Sequence, residues 1–582
     1  MNILGISCYY HDAAAVLISD GRIVAAAEEE RFSRKKHDSG FPKKAIDYCL
    51  KEDALSSSDL DYVVFYEKPF RKFHRILISS LSTFPKSYAS FREAIRLWMT
   101  QKLWIKSEIA SYLKLPEDKI LFSEHHLSHA ASTYFPSPFK ESAILTVDGV
   151  GEWATASYGV GKSNKIKLLK EIHFPQSLGL LYSAFTAFLG FEVNEGEWKV
   201  MGLAPYGKPK YQKELWQTVG LNADGSFSLN FDYFSFHYSD RYSYSQKLVD
   251  LLGPPVDPKN SHLVTPRSAD IAASIQAVTE ELLLNMAKNL KKISQSDNLC
   301  LAGGVALNSV ANYRLLKESG FKNIFVQPAA GDSGGALGAA LYVYHHVLNR
   351  QNRTAMDRAC FGQEFDEENI LHYLKNNNLH YRRLTNDQLV DFVSSLIMKG
   401  KVIGWMQGKF EWGPRALGHR SILADPRNPK MKDIINAKVK FREAFRPFAP
   451  SVLSDQAPNV FELPTSNYKL LTNHYPLRFM LYVVPVKPAW RKKVPAVTHA
   501  DNTARPQLVF KDTNPLYYSL ISAFHKKTGV PLLLNTSFNL KGEPIVASPA
   551  DAYSTFKCSG IDILVMGNFI SEKKGRSGPE GI

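Results

Sequence analysis

Ala143-Ile144-Leu145-Thr146-Val147-Asp148-Gly149-Val150-Gly151-Glu152 is the stretch on which the fold turns. An apolar run this short, ending in acidic and glycine residues, reads as a buried strand entering a polar turn. Ala154-Thr155-Ala156-Ser157-Tyr158 follows, then the turn Gly159-Val160-Gly161-Lys162 and a third run, Ile166-Lys167-Leu168-Leu169. The amino terminus has the same order: Ile3-Leu4-Gly5-Ile6-Ser7, the turn Tyr10-His11-Asp12, Ala13-Ala14-Ala15-Val16-Leu17-Ile18, the turn Ser19-Asp20-Gly21, and Ile23-Val24-Ala25-Ala26. Two copies of strand, turn, strand, turn and strand mark a duplicated α/β fold. Duplication predicts a cleft between the copies, with polar turns from both facing it.

This kind of duplication occurs in the actin-like and sugar-kinase ATPases, an analogy at the level of fold alone. At 582 residues the chain is too long for one core and predicts two large domains or a few smaller ones. Lys and Arg number 71 against 56 Asp and Glu, leaving +15, which suits a protein that handles anions. Nucleic acid, an acidic membrane surface and polyphosphate ligands all meet that condition. The cysteines Cys8, Cys49, Cys300, Cys360 and Cys558 are scattered without a Cys-x-x-Cys pair, which reads as reduced thiols. The amino terminus enters a strand without the basic and apolar regions of a secretory signal, and no apolar stretch approaches the length of a membrane span. A soluble cytoplasmic protein is the expectation.

Ser123-Glu124-His125-His126-Leu127-Ser128-His129-Ala130 follows Ile120-Leu121-Phe122, so it reads as a strand, an N-cap serine and an opening helix turn. His125 and His129 then share a helix face, while His126 points about 100° away. The pair alone divides evenly between metal ligation and chance. Upstream, residues 70–115 read as helical, basic and aromatic. Helices packing aromatics on the core and showing lysines to water are the expectation there, ahead of a nucleic-acid or membrane surface.

Residues 195–207 combine glycines, two carboxylates and Lys199 in a loop-like stretch suited to a ligand contact. Residues 270–292 read as an amphipathic helix. The strand Leu299-Cys300-Leu301 then enters Ala302-Gly303-Gly304-Val305-Ala306-Leu307-Asn308, whose glycines allow either a phosphate or close helix packing near the backbone. The strand Ile324-Phe325-Val326 leads to Gly331-Asp332-Ser333-Gly334-Gly335, where Asp332 taken alone is an N-cap. Polar residues 349–358 suggest a domain boundary. Beyond it, arginines and lysines crowd among apolar residues in Trp412-Gly413-Pro414-Arg415-Ala416-Leu417-Gly418-His419-Arg420 and in residues 438–448, a pattern that asks for anionic partners. A third loop, Asn535-Thr536-Ser537-Phe538-Asn539-Leu540-Lys541, suits phosphate oxygens. The Walker pattern is missing, which excludes a P-loop enzyme.

Together these motifs resemble the O-carbamoyltransferases of the NodU/CmcH type, from end to end of the chain. The residues that carry the resemblance are Tyr10-His11-Asp12, residues 124–130, Asp148-Gly149-Val150-Gly151-Glu152, Lys199-Val200-Met201-Gly202-Leu203-Ala204, Gly303-Gly304, Gly331-Asp332, residues 412–418, Phe445-Arg446-Pro447-Phe448-Ala449-Pro450 and residues 535–539. The resemblance implies two α/β domains. The first, 1–352, is a duplicated actin-like (ASKHA) domain similar to the tRNA threonylcarbamoyl transferase, and the second, 353–582, is YrdC-like. It further implies that the second domain makes carbamoyladenylate from ATP, with Mg2+, and carbamoyl phosphate, and that the first passes the carbamoyl group to a hydroxyl of a sugar or specialised metabolite. His125, His129, Asp148 and Asp332 are the implied ligands of one divalent metal, with iron(II) favoured over manganese or zinc. His11 is the candidate general base, and Asp12 orients it. Lys199, Gly202, Gly303, Gly304 and Asn308 are the candidate nucleotide contacts of the first domain. Arg415, Arg420, Lys440, Arg442, Arg446, Arg505, Asn535, Ser537, Asn539 and Lys541 are the candidate ATP and carbamoyl phosphate contacts of the second. A tRNA-modifying transferase and a non-catalytic nucleotide-binding protein are the competing readings. Neither nucleic acid nor membrane is an expected partner.

Overall fold

Strands β1 (Asn2–Ser7), β2 (Ala14–Ser19) and β3 (Arg22–Glu28) form an antiparallel meander, and β4 (Tyr62–Phe65) and β5 (Ile120–Phe122) add to β1 in parallel, giving the order β3-β2-β1-β4-β5. The second copy repeats this strand for strand. In it β6 (Glu141–Val147), β7 (Ala154–Lys162) and β8 (Lys165–His173) make the meander, and β9 (Asn298–Ala302) and β10 (Asn323–Val326) continue it in parallel, in the order β8-β7-β6-β9-β10. Helices cover these sheets, so β1 and β6 are buried almost throughout and read as continuous apolar runs. The computed structural model describes residues 1–100, 102–464 and 474–573.

A third, mixed sheet is built entirely from later residues. Strands β11 (Arg382–Arg383), β12 (Ile403–Met406), β13 (Arg420–Ala424), β14 (Ala449–Leu453), β15 (Gln507–Val509), β16 (Leu532–Ser537), β17 (Ile563–Met566) and β18 (Phe569–Glu572) lie in the order β11-β18-β17-β12-β13-β16-β14-β15. Residues 349–359 between the second and third sheets carry neither helix nor strand.

Two helices meet where the duplicated sheets face each other. The helix His125–Tyr134 follows β5, and the helix Asp332–Leu341 follows β10 with all ten residues buried. Its sequence Asp-Ser-Gly-Gly-Ala-Leu-Gly-Ala-Ala-Leu permits backbone contact: a Cβ on Gly338 would lie 1.7 Å from the Ser128 carbonyl oxygen. The long helix Pro266–Ser294 begins at a Thr265 and Ser268 capping box and buries an apolar stripe along its length.

Four local expectations change. The N-cap before His125 is Glu124, not Ser123, and the carboxylate of Glu152 takes up the His125 N–H in place of a local cap. Asp332 is the first helical residue rather than the cap, which is Gly331. Residues 195–207 hold the short helix Glu197–Leu203 instead of a loop, with Gly202 inside its last turn and Gly196 and Gly207 outside it. In residues 70–115 the helices form, but only Trp98 of the large aromatics is fully buried; Phe70 is 73% exposed and Trp104 60%. Lys72 and Arg75 are buried in their place, Lys72 paired with Glu67 at 2.6 Å and Arg75 stacked 4.9 Å from the Phe174 ring. Among the described residues, no helix is long and apolar enough to cross a membrane.

Candidate metal centre and cation cluster

Three chain segments deliver four ligand groups to one point. The first two turns of the 125–134 helix bring His125 and His129, the turn after β6 brings Asp148, and the start of the 332–341 helix brings Asp332. One donor atom from each of the four lies within 4.8 Å of all the others, and all four residues are buried. His125 Nε2 is 3.0 Å from His129 Nε2 and 3.1 Å from Asp148 Oδ2. His129 Nε2 is 3.4 Å from both Asp148 Oδ2 and Asp332 Oδ1.

Burial alone disfavours a charged imidazole, yet the Asp332 and Asp148 carboxylates hold His125 well above the ordinary histidine value, and the same two raise His129. Asp148 is pulled far down by the two histidines against its burial. Both oxygens of Asp332 form no hydrogen bond although the residue is 1% exposed. A buried carboxylate without a donor is costly, and a cation among these four groups removes that cost. Two imidazole nitrogens and two carboxylates suit a divalent transition metal.

Around these groups lies a supporting ring that reading the sequence did not single out. Glu67, two residues past β4, is 3.6 Å from His125 Nδ1 and 2.6 Å from Lys72. Burial opposes its charge, but Lys72 and His125 hold it down at about 2. Glu152 fixes the start of the histidine helix and also accepts the Lys68 N–H at 2.8 Å. Glu152 closes the turn motif that begins at Asp148, whereas nothing in the local sequence around Glu67 signals that it will meet a histidine 58 positions later. Gly304 N–H donates to Asp148 Oδ1 at 3.0 Å, and Gly303 adopts φ +92°, where a side chain would be strained and would meet the Val147 backbone at 2.2 Å. The remaining residue of that turn, Asn308, caps the helix Ser309–Glu318.

His11 and Asp12 occupy the turn after β1. His11 Nδ1 lies 3.0 Å from Asp12 Oδ2. Burial works against the imidazolium, and the Asp12 bond together with the fields of Asp332 and Asp148 outweighs it, raising His11 to about 9.

The later sheet carries a second centre of opposite sign. Burial, with Arg505 beside it, pushes Arg415 well below the usual guanidinium value; burial and Arg446 do the same to Arg442 and bring Arg505 to about 10. Lys440 is likewise depressed by burial and by Arg442, and its Nζ donates to Asn539 Oδ1 at 2.7 Å and Ser537 Oγ at 3.1 Å. Arg442 stacks 4.7 Å from the Phe448 ring. The nearest carboxylate is Glu443, 3.7 Å from Arg446 and 3.2 Å from Lys199. Lys199 therefore reaches across to this cluster, and Gly202 faces it too, its missing Cβ 3.5 Å from Pro447. Glu195 and Glu543 also act on Arg446 and Lys440, and a cluster of buried cations of this kind suits a polyanion.

Two of the expected anion contacts are engaged otherwise, and a third faces solvent. Arg420 is fully buried and gives its N–H groups to the carbonyls of Gln407 (2.8 Å), Gly408 (3.0 Å) and Ala547 (3.2 Å), so it secures loops rather than phosphate. Asn535 is buried against Ala416 O and Ser451 Oγ. Lys541 is exposed. Residue type alone could not separate Arg420 from Arg415 and Arg442, which make fewer hydrogen bonds.

Two family models match the chain, one described as carbamoyltransferase N-terminus over residues 2–341 and one as carbamoyltransferase C-terminus over residues 394–573. An uncharacterized protein of Synechocystis sp. is 47% identical over 596 residues, covering 98% of this chain and 97% of its own. Nodulation protein NolNO of Sinorhizobium fredii is 38% identical over 576 residues, covering 98% of this chain and 80% of its own. Nodulation protein U of the same species is 27% identical over 582 residues, covering 95% and 96%.

Proposed function

The chain belongs to the carbamoyltransferase family, and from that premise we propose that it is an O-carbamoyltransferase dividing its reaction between two centres. The observation that carries this reading is the coexistence of a buried two-histidine, two-carboxylate group with a separate cluster of buried, under-neutralised cations. The division falls near residue 352. The earlier residues form an actin-like transfer domain and the later ones a YrdC-like domain that makes the adenylate.

In the later domain Arg415, Lys440, Arg442, Arg446 and Arg505 neutralise ATP and carbamoyl phosphate, and Ser537 and Asn539 hydrogen-bond them. Water hydrolyses carbamoyl phosphate to carbamate and inorganic phosphate. A carbamate oxygen then attacks the α-phosphorus of ATP, forming carbamoyladenylate and expelling pyrophosphate. In the earlier domain His125, His129, Asp148 and Asp332 hold the divalent metal, iron(II) or manganese by donor type. When bound there it supplies Lewis-acid charge for the carbamoyl carbonyl and the departing phosphate. His11 Nε2 takes the proton of the acceptor hydroxyl while Asp12 holds Nδ1. The acceptor oxygen bonds to the carbamoyl carbon, and AMP leaves with the electrons of the broken C–O bond.

Purified full-length protein given ATP and carbamoyl phosphate should release pyrophosphate, with Arg446→Ala slower by roughly 10²–10³-fold. Release equal in the two proteins would sink the activation scheme. Labelled carbamoyl phosphate offered with a panel of glycans and cell extracts, followed by a search for the mass gain of one carbamoyl group, identifies the acceptor.

A further inference from the structure

Asp12 has a second partner. Its Oδ1 lies 2.7 Å from His37 Nδ1, while its Oδ2 lies 3.0 Å from His11 Nδ1, so one carboxylate joins two imidazoles. We propose that His37 is a positioning residue for carbamoyl transfer, holding Asp12 so that His11 keeps one tautomer with Nε2 free to accept a proton. This rests on the reading of His11 as the base.

The geometry around the three residues is specific. Asp12 and His37 both adopt φ +53° and Tyr9 φ +70°, a backbone region that non-glycine residues rarely occupy and that clusters at functional sites. At φ +53° the side chains of the adjacent residues His11 and Asp12 meet. His37 Nε2 is buried and makes no hydrogen bond, so the ring is committed to Asp12. The His37 backbone N–H donates to Glu30 Oε2 at 2.9 Å, its ring lies 6.5 Å from Trp198, and the adjacent Lys36 is paired with Glu195. Glu30, Asp12 and His37 bring donor atoms within 4.8 Å of one another. Because Glu30 is engaged by a backbone amide and Asp12 by both imidazoles, the arrangement is a hydrogen-bond chain rather than a cation site.

His37 also ends a segment fastened to the other domain. Arg31 donates to Gly413 O at 2.7 Å, and Glu28 accepts the Gly413 N–H at 2.8 Å. Arg34 donates to Ile545 O at 2.7 Å and Pro544 O at 2.8 Å and pairs with Asp551 at 3.3 Å. The orientation of the base is thereby referred to the domain that supplies the adenylate.

Histidine-labelled full-length protein, titrated between roughly pH 6 and 10 and read through the ring ¹⁵N shifts, tests this. The His11 signal is assigned by its loss in His11→Ala. In the native protein deprotonated His11 should be a single Nδ1–H tautomer. In His37→Ala it should become a mixture, and His37→Asn, whose amide N–H replaces the Nδ1–H, should restore the single form. If His37→Ala fails to fold, the comparison is Asn against Gln, whose amide sits at the wrong ring position and should not restore it. An unchanged single tautomer in the Ala or Gln variant overturns the inference. Full-rate carbamoyl transfer by His11→Ala would instead overturn the base assignment while leaving the tautomer result standing.

Discussion

Asp332 poses the sharpest chemical question at the residue scale: a carboxylate 1% exposed with no hydrogen bond on either oxygen. Nearby histidines answer it only while protonated, whereas a metal answers it at any pH where the ligands are free. His129→Ala should therefore lower bound divalent metal, measured by elemental analysis of dialysed protein, by at least roughly tenfold. Unchanged metal content would remove His129 from the centre. His125, His129, Asp148 and Asp332 each sit near a strand end, but in the sequence only the family resemblance joins them into one candidate ligand set. Glu67 and His37 are not legible there, because their roles come from contacts across 58 and 25 positions of sequence that no local pattern records.

At the scale of elements, the centre depends on how closely two helices approach. Gly338 in the 332–341 helix faces the Ser128 carbonyl of the 125–134 helix with no room for a Cβ, and Gly334 is equally confined against Ala329 O at 2.1 Å. Gly338→Ala must push the helices apart, at a cost of about 1–3 kcal/mol or more for overpacking. The separation also moves Asp332 away from the histidines. A lower melting temperature accompanied by weaker metal binding is the expected result; loss of stability with metal affinity intact would show that the helices do not set the site. The duplicated meanders were legible from period and turn residues, since both central strands are short apolar runs between polar turns. The helix Glu197–Leu203 was not, because Gly202 within it, Gly196 before it and Pro205 and Gly207 after it make so short an element look like a loop. Phe70 and Trp104 misled for another reason: apolar periodicity gives a helix face but not what covers it.

For the whole molecule, the ionisable groups set a window of stability. Glu67 falls from an ordinary 4.5 to about 2, so its contribution is complete above pH 4.5 and is lost as pH drops through 2. His11 rises from 6.5 to about 9, so its contribution is complete below pH 6.5 and is lost as pH climbs through 9. Metal-free protein should lose the His11 contribution between pH 6.5 and 9, read by calorimetry as a decline in melting temperature that is smaller in His11→Ala. A flat profile from pH 6.5 to 9 would contradict the environment assigned to His11. The arginine-rich cluster has a thermodynamic corollary of its own. Cations pressed together in the folded chain are far apart in the unfolded one, so their mutual repulsion is a standing tax on folding that any bound polyanion lifts. Pyrophosphate at a hundred times its dissociation constant should add about 2.7 kcal/mol to stability, and that increment should shrink in Arg446→Ala. Under the proposed function, nucleotide supply governs the lifetime of the protein as well as its turnover: a cell short of ATP would hold this enzyme in its most easily unfolded state.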